Sequence, residues 1–588
     1  MAWVVFHTRR VREAFGKPPI LWADVLLLLM VAAAVGGVVL LAAEAASPHQ
    51  PKLVIDLRFA ALPKYAILSL ARGFAAYALS LLFTLVYATT AAHHARAERI
   101  MIPALDVLQS VPVLGFLPGL VLAMIRLFPS RELGLEVACI LMIFTGQVWN
   151  MTFSFHGSLR AIPATLREVA AINHLRGFQA FGWLEVPAGM IGLVWNSMMS
   201  MAGGWFFLTV TEAFTLGNQD YRLPGIGSYM NEAMQQGNSA AIAGGLFTMV
   251  AIIVTVDQFF WRPIVAWSQR FKMEEIAESD SPHSWVLSTI QHSYLYRWMS
   301  NAWGESRATV RPGSLLPRIE RWRLSRVASA WKVMRPVVGG AIAAAVAAAV
   351  VWGLWSLARL LRDLPLHDPA THDDWRHVLV ALGASFLRTT VAVGLGAIWT
   401  LPVGIMIGRS PKWSRRMQPI IQLMASFPAP MLFPLAIAAL NWLHVPFTIG
   451  CVSLMLLGTQ WYILFNIIAG ATAIPADLKE VAAVYRLSTV KRWKKLYIPC
   501  VFPYLVTGLV TAAGGAWNAT IVSEYFQLHG TTYSAFGLGS TISHATASGN
   551  FSLLAASVVV MAASVVVINR LCWKRLYRLA EMRYSLTS

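Results

Sequence analysis

The chain has 588 residues, 57% of them apolar and only 13% charged, with a mean hydropathy of +0.58. In soluble domains about a quarter of all residues are charged, so the composition excludes a soluble multidomain protein and predicts a polytopic membrane protein. The net charge of +19 does not indicate a nucleic-acid partner. No nucleic-acid-binding motif accompanies it, and the inner loops of bacterial membrane proteins also accumulate Lys and Arg.

Twelve runs of the chain are long and apolar enough to cross a bilayer, six in each half. They lie at about 21–43, 66–90, 104–126, 134–155, 189–212 and 239–261, and at about 337–359, 378–406, 418–440, 446–468, 502–524 and 552–573. The first run follows a basic N-terminus, but it exceeds an ordinary signal-peptide core, so we expect it to be retained. The predicted fold class is an all-α polytopic membrane protein with about 12 transmembrane helices.

The charge distribution predicts the orientation. With a cytoplasmic N-terminus, the inner loops hold 36 of the 47 Lys and Arg residues and the outer loops hold 8, while Arg72, Arg126 and Arg388 fall within helices. Such an asymmetry places both termini in the cytoplasm and the chain in a bacterial inner membrane. It also places the segment 44–65 and the loops after Glu212 and Glu524 outside.

An internal duplication divides the chain. Leu166 to Pro187 reads LREVAAINHLRGFQAFGWLEVP, and Leu478 to Pro499 reads LKEVAAVYRLSTVKRWKKLYIP. Adding 312 carries one copy onto the other without a gap from Gly146 to Asn238, as expected for an internal repeat. Because each copy has an even number of helices, the repeats run parallel in the membrane. The predicted domains are a first repeat over 1–262, a basic cytoplasmic linker over 263–336 and a second repeat over 337–588.

The duplicated motif has a Glu-x-Ala start, a turn six residues after the Glu and an apolar-x-Pro end nineteen residues after it. This pattern resembles the EAA loop in permease subunits of bacterial ABC importers of the binding-protein-dependent type. The segments that follow it, MAGGWFFLTVTEAF and AGGAWNATIVSEYF, are similar in sequence to the duplicated anion permeases of the nitrate/sulfonate/bicarbonate (NitT/TauT) group. The turn residue is usually Gly in that family, but this chain has His174 and Arg486, which take positive φ less readily.

The resemblance implies a type I importer architecture in which the two loops dock on a separate ATPase dimer. It assigns this contact to Glu168, Ala170, Ala171, His174, Arg176 and Pro187, and to Glu480, Ala482, Ala483, Arg486 and Pro499. An ordinary basic inner loop would explain the Lys and Arg residues but not the repeated Glu-Val-Ala-Ala and Pro. The chain contains no phosphate-binding G-x-x-x-x-G-K-[ST] motif, so we expect no ATPase activity and no cofactor in this chain, with ATP and Mg bound by the partner.

Two arginines at membrane depth, Arg72 and Arg388, share a Ser-x-x-Arg pattern. An ionisable residue there suggests function, and a planar guanidinium suits an oxyanion. The alternative is that they pair with Glu212 and Glu524 and fix helix packing. The resemblance implies that the fifth helix of each half lines the pathway. The predicted substrate-pathway residues are therefore Arg72, Arg388, Asn196, Ser200, Glu212, Asn518, Ser523 and Glu524, although small polar residues serve packing equally well.

The four cysteines show no CxxC spacing, so neither a metal site nor a disulfide is predicted. In the linker, RIERWRLSRVASAWKVMR at 318–335 suits either an amphipathic helix on the anionic inner leaflet or a solvated tether.

These observations predict the permease component of an ABC importer, moving a small solute, an anion, by alternating access. Its partners would be an ATPase dimer, a periplasmic or lipid-anchored substrate-binding protein and membrane lipid. A secondary transporter with 6 + 6 helices and a membrane scaffold or sensor acting through the linker are the alternatives.

Overall fold

The computed structural model describes residues 21–48, 53–129, 132–175, 177–216, 219–271, 284–296, 350–368 and 373–584, together with 344, 347 and 348. Arg176, most of the linker with its segment 318–335, and part of the predicted run 337–359 lie outside the described residues.

The first half contains eleven helices and one hairpin in the described ranges. They are α1 (Leu21–Ala46), α2 (Leu62–His93), α3 (Ala95–Ser110), α4 (Leu117–Leu127), α5 (Leu133–Arg160), α6 (Ala164–Ile172), α7 (Phe178–Ala180), α8 (Val186–Thr211), β1 (Ala213–Leu216), β2 (Gln219–Arg222), α9 (Ile226–Gln235), α10 (Ser239–Val256) and α11 (Arg262–Ser268). The two strands pair antiparallel, with Ala213 opposite Arg222. The linker contributes α12 (Trp285–His292).

The second half repeats this order of elements from α2 to α10. It consists of α13 (Trp375–Gly408), α14 (Pro411–Ser426), α15 (Ala429–Trp442), α16 (Phe447–Thr472), α17 (Ala476–Val484), α18 (Thr489–Arg492), α19 (Ile498–Ser523), β3 (Tyr525–Leu528), β4 (Thr531–Ser534), α20 (Leu538–Ser548), α21 (Phe551–Ile568) and α22 (Lys574–Tyr584). Its strands also pair antiparallel.

Four π-helical turns interrupt these helices, and they form two equivalent pairs. Phe181–Glu185 and Trp493–Tyr497 precede α8 and α19, whereas Asp257–Trp261 and Asn569–Trp573 follow α10 and α21. Each pair is separated by the offset of the sequence repeat. Such turns are rare and frequently occur at functional sites.

Eight helices in the described part of the chain are long and apolar enough to cross a membrane, or ten if two bent helix pairs each count as one span. The chain is therefore a multi-pass membrane protein. Helix α8 lies where a span was predicted and is 26 residues long, but it is not among the eight.

The predictions of continuous helices over 104–126 and 418–440 were wrong. Each run contains two helices, α3 with α4 and α14 with α15, which are bent by 84° and 89°. The breaks fall at Pro112 and Pro428. Proline lacks an N–H donor and restricts the residue before it to extended conformations, so neither helix can continue through it.

By its contacts the chain divides into two compact units. The smaller unit comprises Met1–Gly36 and Pro282–Leu364, and the Asp24 carboxylate in it accepts hydrogen bonds from Ser293 Oγ (2.6 Å) and Leu295 N (2.8 Å). This carboxylate ties the start of α1 to the residues after α12. The larger unit comprises Gly37–Ser281 and Pro365–Ser588, and it contains both copies of the repeated motif.

In the larger unit, α5 packs between α2 and α8, and α16 packs between α13 and α19. Small residues permit the close approach that stabilises helix pairs in lipid. A Cβ atom on Gly408 would lie 2.7 Å from the Ile468 carbonyl oxygen, and one on Gly508 would lie 2.9 Å from Ile463 Cα. No larger side chain fits at these crossings without moving the backbone.

The last long helix of each half begins in the same way. Gly237 and Gly549 end the preceding helices with positive φ, which glycine adopts without strain. Asn238 and Asn550 follow, and the side chain of each accepts a hydrogen bond of 3.1 Å from the N–H three residues on. This is a helix N-cap. Local chemistry thus explains why Gly-Asn occurs in both repeats.

Candidate functional site

Both copies of the repeated motif fold as a short helix closed by a left-handed residue. At the end of α6, His174 N donates to Ala171 O and Leu175 N donates to Ala170 O; at the end of α17, the N–H groups of Arg486 and Leu487 make the same two bonds. This pattern is a Schellman motif. The closing residues have φ of 55° and 47°, so His174 and Arg486 adopt the conformation that glycine provides in the resembling family.

In each copy of the motif an alanine and the glutamate two residues before it have different environments. Ala170 and Ala482 are buried, and Ala482 belongs to the core beneath the loop. The neighbouring Glu168 and Glu480 are exposed. The helix therefore rests on the membrane bundle through one alanine and presents its glutamate outward.

Each loop also exposes large apolar side chains. Phe178 is 94% exposed and Tyr485 is 76% exposed. Ile172, Trp183 and Val484 are exposed as well. Apolar groups clustered at exposed positions mark an interaction surface, and aromatic residues often dominate its energetics.

The loops continue directly into α8 and α19. In each copy the π-helical turn leads to Pro187 or Pro499 at the start of the long helix, where proline needs no hydrogen-bond partner. The first loop is also tied to α2 by a hydrogen bond of 2.6 Å between His93 Nε2 and Glu185 Oε1. In the second copy Tyr497 replaces the glutamate, and its ring lies 6.1 Å from that of Trp493.

A buried polar cluster lies at the opposite ends of these helices, around Arg72. Its Nε and Nη2 donate to both oxygens of Glu136 at 2.7 and 2.6 Å, and Nη1 donates to Glu212 Oε1 at 2.8 Å and to the Pro224 carbonyl at 2.9 Å. Ser69 Oγ donates to Glu212 at 2.6 Å. The Arg72 side chain is 0% exposed, so paired and bidentate contacts satisfy its charge.

The second half contains an equivalent but weaker cluster. Arg388 Nη1 donates to Glu524 Oε1 at 3.0 Å and to the Phe536 carbonyl at 2.7 Å, and Ser385 Oγ donates to Glu524. Where the first half has Glu136, the Arg388 Nε donates only to the Thr448 carbonyl at 3.3 Å. The Arg388 side chain is 11% exposed.

Glycines after each hairpin make these clusters possible. Gly227 N donates to Glu212 Oε2 at 2.7 Å and Gly539 N donates to Glu524 Oε2 at 2.9 Å. Each carboxylate therefore accepts a hydrogen bond from the first turn of a helix, where the helix dipole favours a negative charge. A Cβ atom on Gly227 or Gly539 would lie within 2.7 Å of a backbone carbonyl of the preceding long helix. Only glycine permits this approach.

This geometry bears on the predicted substrate pathway. The predicted role of Arg72 and Arg388 in binding an oxyanion has no support from these contacts, because their guanidinium groups are engaged by Glu212 and Glu524. The arrangement is the paired alternative that the sequence left open. Glu136 was not predicted, because an acid near the start of an apolar run looks like a residue at the membrane interface.

The other predicted pathway residues lie in different places. Asn518 lines a cavity of about 170 Å³ between the halves, and its Oδ1 accepts a hydrogen bond of 2.7 Å from Val113 N. Asn196 donates to Ser154 and to its own helix, and Ser523 donates to its own helix. Ser200 is buried and its hydroxyl has no hydrogen-bond partner in the described residues.

Uncharged polar and aromatic side chains line this central cavity. They include Gln109, Thr145, Trp149, Asn150, Trp461, Tyr462, Thr511, Asn518, Asn569 and Trp573. A second cavity, of about 270 Å³, lies toward the hairpins, between Phe214 of the first half and Phe526 of the second. In the described ranges no three His, Cys, Asp or Glu side chains are grouped as metal ligands.

Two reciprocal contacts cross between the halves. Gln422 Nε2 lies 3.4 Å from Asp257 Oδ1, and Asn569 Nδ2 lies 3.5 Å from Asp106 Oδ1. Asp257 and Asn569 occupy equivalent positions in two π-helical turns. In one contact the π-helical turn of the first half supplies the carboxylate, and in the other the π-helical turn of the second half supplies the amide. Both contacts are long for hydrogen bonds. The interface between the halves thus contains a weak polar contact at each of two equivalent places.

Comparisons with known proteins agree with this architecture. Residues 400–585 match the family described as "Binding-protein-dependent transport system inner membrane component". The chain is 32% identical over 176 residues to the bicarbonate transport system permease protein CmpB of Synechocystis sp., a match that covers 29% of this chain and 60% of that protein.

Two further relatives carry other substrate names. The nitrate import permease protein NrtB of Leptolyngbya laminosa is 27% identical over 190 residues, 32% of this chain and 64% of that protein. The putative aliphatic sulfonates transport permease protein SsuC of Bacillus subtilis is 27% identical over 143 residues, 24% of this chain and 50% of that protein. The chain spans between half and two thirds of the length of these relatives.

Proposed function

We propose that this chain is a binding-protein-dependent transport system inner membrane component, the permease of an ABC importer for a small anion; the match of residues 400–585 to that family and the similarity to the named permeases support this. It would supply about twelve transmembrane helices in two parallel repeats, residues 1–262 and 337–588, joined by the linker over 263–336. ATP hydrolysis would take place in a separate ATPase dimer, because the chain contains no phosphate-binding G-x-x-x-x-G-K-[ST] motif.

The observation that carries the proposal is the repeated loop. Two loops with the same turn geometry expose a glutamate and apolar side chains at equivalent places, as expected for docking on two equivalent sockets. The residues in contact would be those predicted from the sequence, Glu168, Ala171, His174 and Pro187 in one loop and their equivalents Glu480, Ala483, Arg486 and Pro499 in the other. Arg176 would join them. The buried Ala170 and Ala482 would hold the two helices in place rather than touch the partner.

Alternating access would follow from the connection of each loop to a long helix. Movement of the loops would pass through the π-helical turns into α8 and α19, which line the central cavity together with Trp149 and Trp461. The substrate would pass between Asn150 and Asn518 in this cavity, while the clusters around Arg72 and Arg388 would hold each half together. Transport requires two arrangements of the halves, and the weak contacts between them suit this.

An anion is proposed because the relatives are named for bicarbonate, nitrate and sulfonates. By the excess of Lys and Arg in the inner loops, both termini, the linker and both repeated loops would face the cytoplasm of the bacterial inner membrane. A substrate-binding protein would then deliver the anion on the hairpin side.

Copurification tests the proposal. The full chain, expressed together with the ATPase and binding-protein genes of its own genome, is expected to copurify with two copies of the ATPase per chain and to show substrate-stimulated ATP hydrolysis. A chain that transports an anion in vesicles without any ATPase would instead be a secondary transporter.

A further inference from the structure

A lateral crevice of about 210 Å³ separates α10 of the first half from α14 of the second. Its floor consists of the buried side chains of Met201, Trp205 and Trp261. Its rim is exposed, with Ile420 at 53% and Val254 also open. Val254 lies on a helical run, Ser239–Phe271, that is long and apolar enough to span the membrane. An exposed apolar side chain there faces lipid, so the crevice opens sideways into the bilayer rather than into the central cavity.

One end of the crevice is polar. The Asp257 carboxylate there accepts hydrogen bonds from Arg262 Nε at 2.9 Å, from Gln258 at 3.2 Å and from Gln422 at 3.4 Å. The Arg262 side chain is only partly buried, and its two terminal nitrogens, Nη1 and Nη2, make no hydrogen bond to any described residue. The crevice thus combines an apolar wall with two unused guanidinium donors at one end.

The position of Arg262 along its helix fixes the depth of these donors. The helical run Ser239–Phe271, which comprises α10, the π-helical turn and α11, begins at Ser239, and Arg262 comes roughly 35 Å along it at a rise of about 1.5 Å per residue. The hydrocarbon core is about 30 Å thick. The guanidinium therefore lies at the level of the headgroup phosphates, in the leaflet on the side of the repeated loops.

We propose that this crevice is a binding site for one phospholipid of that leaflet, with an acyl chain against Met201 and Trp205 and the phosphate bound by Arg262. A phosphodiester accepts two parallel hydrogen bonds from a guanidinium group, which is the geometry that the free Nη1 and Nη2 offer. The inference rests on the membrane disposition of the chain and not on its partner or substrate. The lipid would fill the lateral gap between the halves on this side.

The second repeat provides a matched control. Lys574 is the equivalent of Arg262 in the sequence repeat and lies at the same depth after α21. There, Asn569 and Trp573 line the central cavity, and Asn569 contacts Asp106. A cation at headgroup depth is thus present in both halves, but the lateral crevice described above belongs to Arg262.

The test uses the full chain reconstituted in nanodiscs of phosphatidylglycerol and phosphatidylcholine, then released in mild detergent for native mass spectrometry. The wild-type chain is expected to retain one more phosphatidylglycerol than Arg262→Gln. Lys574→Gln is expected to retain the wild-type number. Leu423→Trp, which fills the crevice without touching the ion pair, is expected to lose the same single lipid.

Retention of the wild-type number by either Arg262→Gln or Leu423→Trp would overturn the proposal. Loss of the same lipid from Lys574→Gln would overturn it too, since any cation at this depth would then suffice. Inorganic phosphate added alone is expected not to displace the lipid; displacement would assign the site to the free ion.

Discussion

His174 and Arg486 occupy positions where a side chain is unfavourable. Both have positive φ, which costs a residue with a Cβ atom about 1 kcal/mol relative to glycine. Each position nevertheless closes a Schellman motif with two backbone hydrogen bonds. The loops therefore retain their turn while carrying a cationic or titratable side chain on an exposed surface.

Substituting glycine at these turns is expected to stabilise the loops locally. In His174→Gly and Arg486→Gly, amide exchange of Leu175 and Leu487 should slow about two- to fivefold, in line with relief of about 0.5–1 kcal/mol of backbone strain. The measurement is hydrogen exchange on the purified chain. The control is Asn173→Gly, where φ is −81° and exchange should not slow; slowing in this control would contradict the assignment to φ.

The two arginine clusters differ in the number of buried carboxylates that the arginine pairs with. Arg72 compensates two buried carboxylates, Glu136 and Glu212, whereas Arg388 compensates Glu524 alone and is partly exposed. Removing one partner from a buried ion pair leaves an uncompensated charge. The first half should therefore depend on its arginine more than the second half does.

Arg72→Gln is expected to destabilise the chain by about 3–5 kcal/mol, and Arg388→Gln by about 1–3 kcal/mol. After heating, the yield of monodisperse protein in size-exclusion chromatography should be lower for Arg72→Gln than for Arg388→Gln. Adding Glu136→Gln to Arg72→Gln should restore part of the yield, because one unpaired charge is removed. Equal yields of the two single variants would show that the additional carboxylate makes no difference.

Some of the contacts in the two arginine clusters could be predicted from the sequence. The Ser-x-x-Arg pattern and the acids after α8 and α19 were sufficient to predict the paired arrangement as an alternative. Glu136 was missed, because the partner of a charge in a three-helix cluster depends on helix rotation, which a single sequence does not specify. The glycines at 227 and 539 signal a close approach, but not the carboxylate they approach.

At the scale of elements, the two loops are attached differently to the bundle. Glu185 joins the first loop to α2 through His93, while the second loop has Tyr497 at that place, beside Trp493. The first attachment is polar and depends on one hydrogen-bonded pair. The second consists of aromatic packing.

Glu185→Gln is therefore expected to loosen the first loop and leave the second unchanged. Limited proteolysis or hydrogen exchange should show faster opening of residues 164–175 and an unchanged rate for residues 476–487. Tyr497→Phe is the matched variant in the second loop and should change neither, since the ring remains. Faster opening of both loops in Glu185→Gln would contradict separate attachment.

Sequence periodicity predicted most long helices but not their interruptions. The breaks at Pro112 and Pro428 were hidden, because the apolar runs continue on both sides of each proline. The π-helical turns carry no hydropathy signal at all, since they change only the hydrogen-bond register. Both kinds of feature arise from backbone hydrogen bonding, which hydropathy does not report.

At the scale of the whole molecule, the orientation remains a prediction from the charge asymmetry. In a cysteine-free background, Ser534→Cys in the second hairpin should react with an impermeant thiol reagent in intact cells. Val484→Cys in the second loop should react only after the membrane is opened. Both positions are exposed, so their access depends on sidedness alone. Labelling of Val484→Cys in intact cells would reverse the orientation.

We propose that the two equivalent loops couple ATP hydrolysis in the partner to transport through this chain. The measurement is uptake of labelled bicarbonate or nitrate, together with ATP hydrolysis, in vesicles that contain the chain with the proposed ATPase and binding protein. Each single change, Glu168→Gln or Glu480→Gln, should reduce uptake, by unequal amounts because the loops are attached differently. The double variant should lose uptake at least tenfold relative to hydrolysis, at equal abundance of the complex. Wild-type uptake in the double variant would contradict the account.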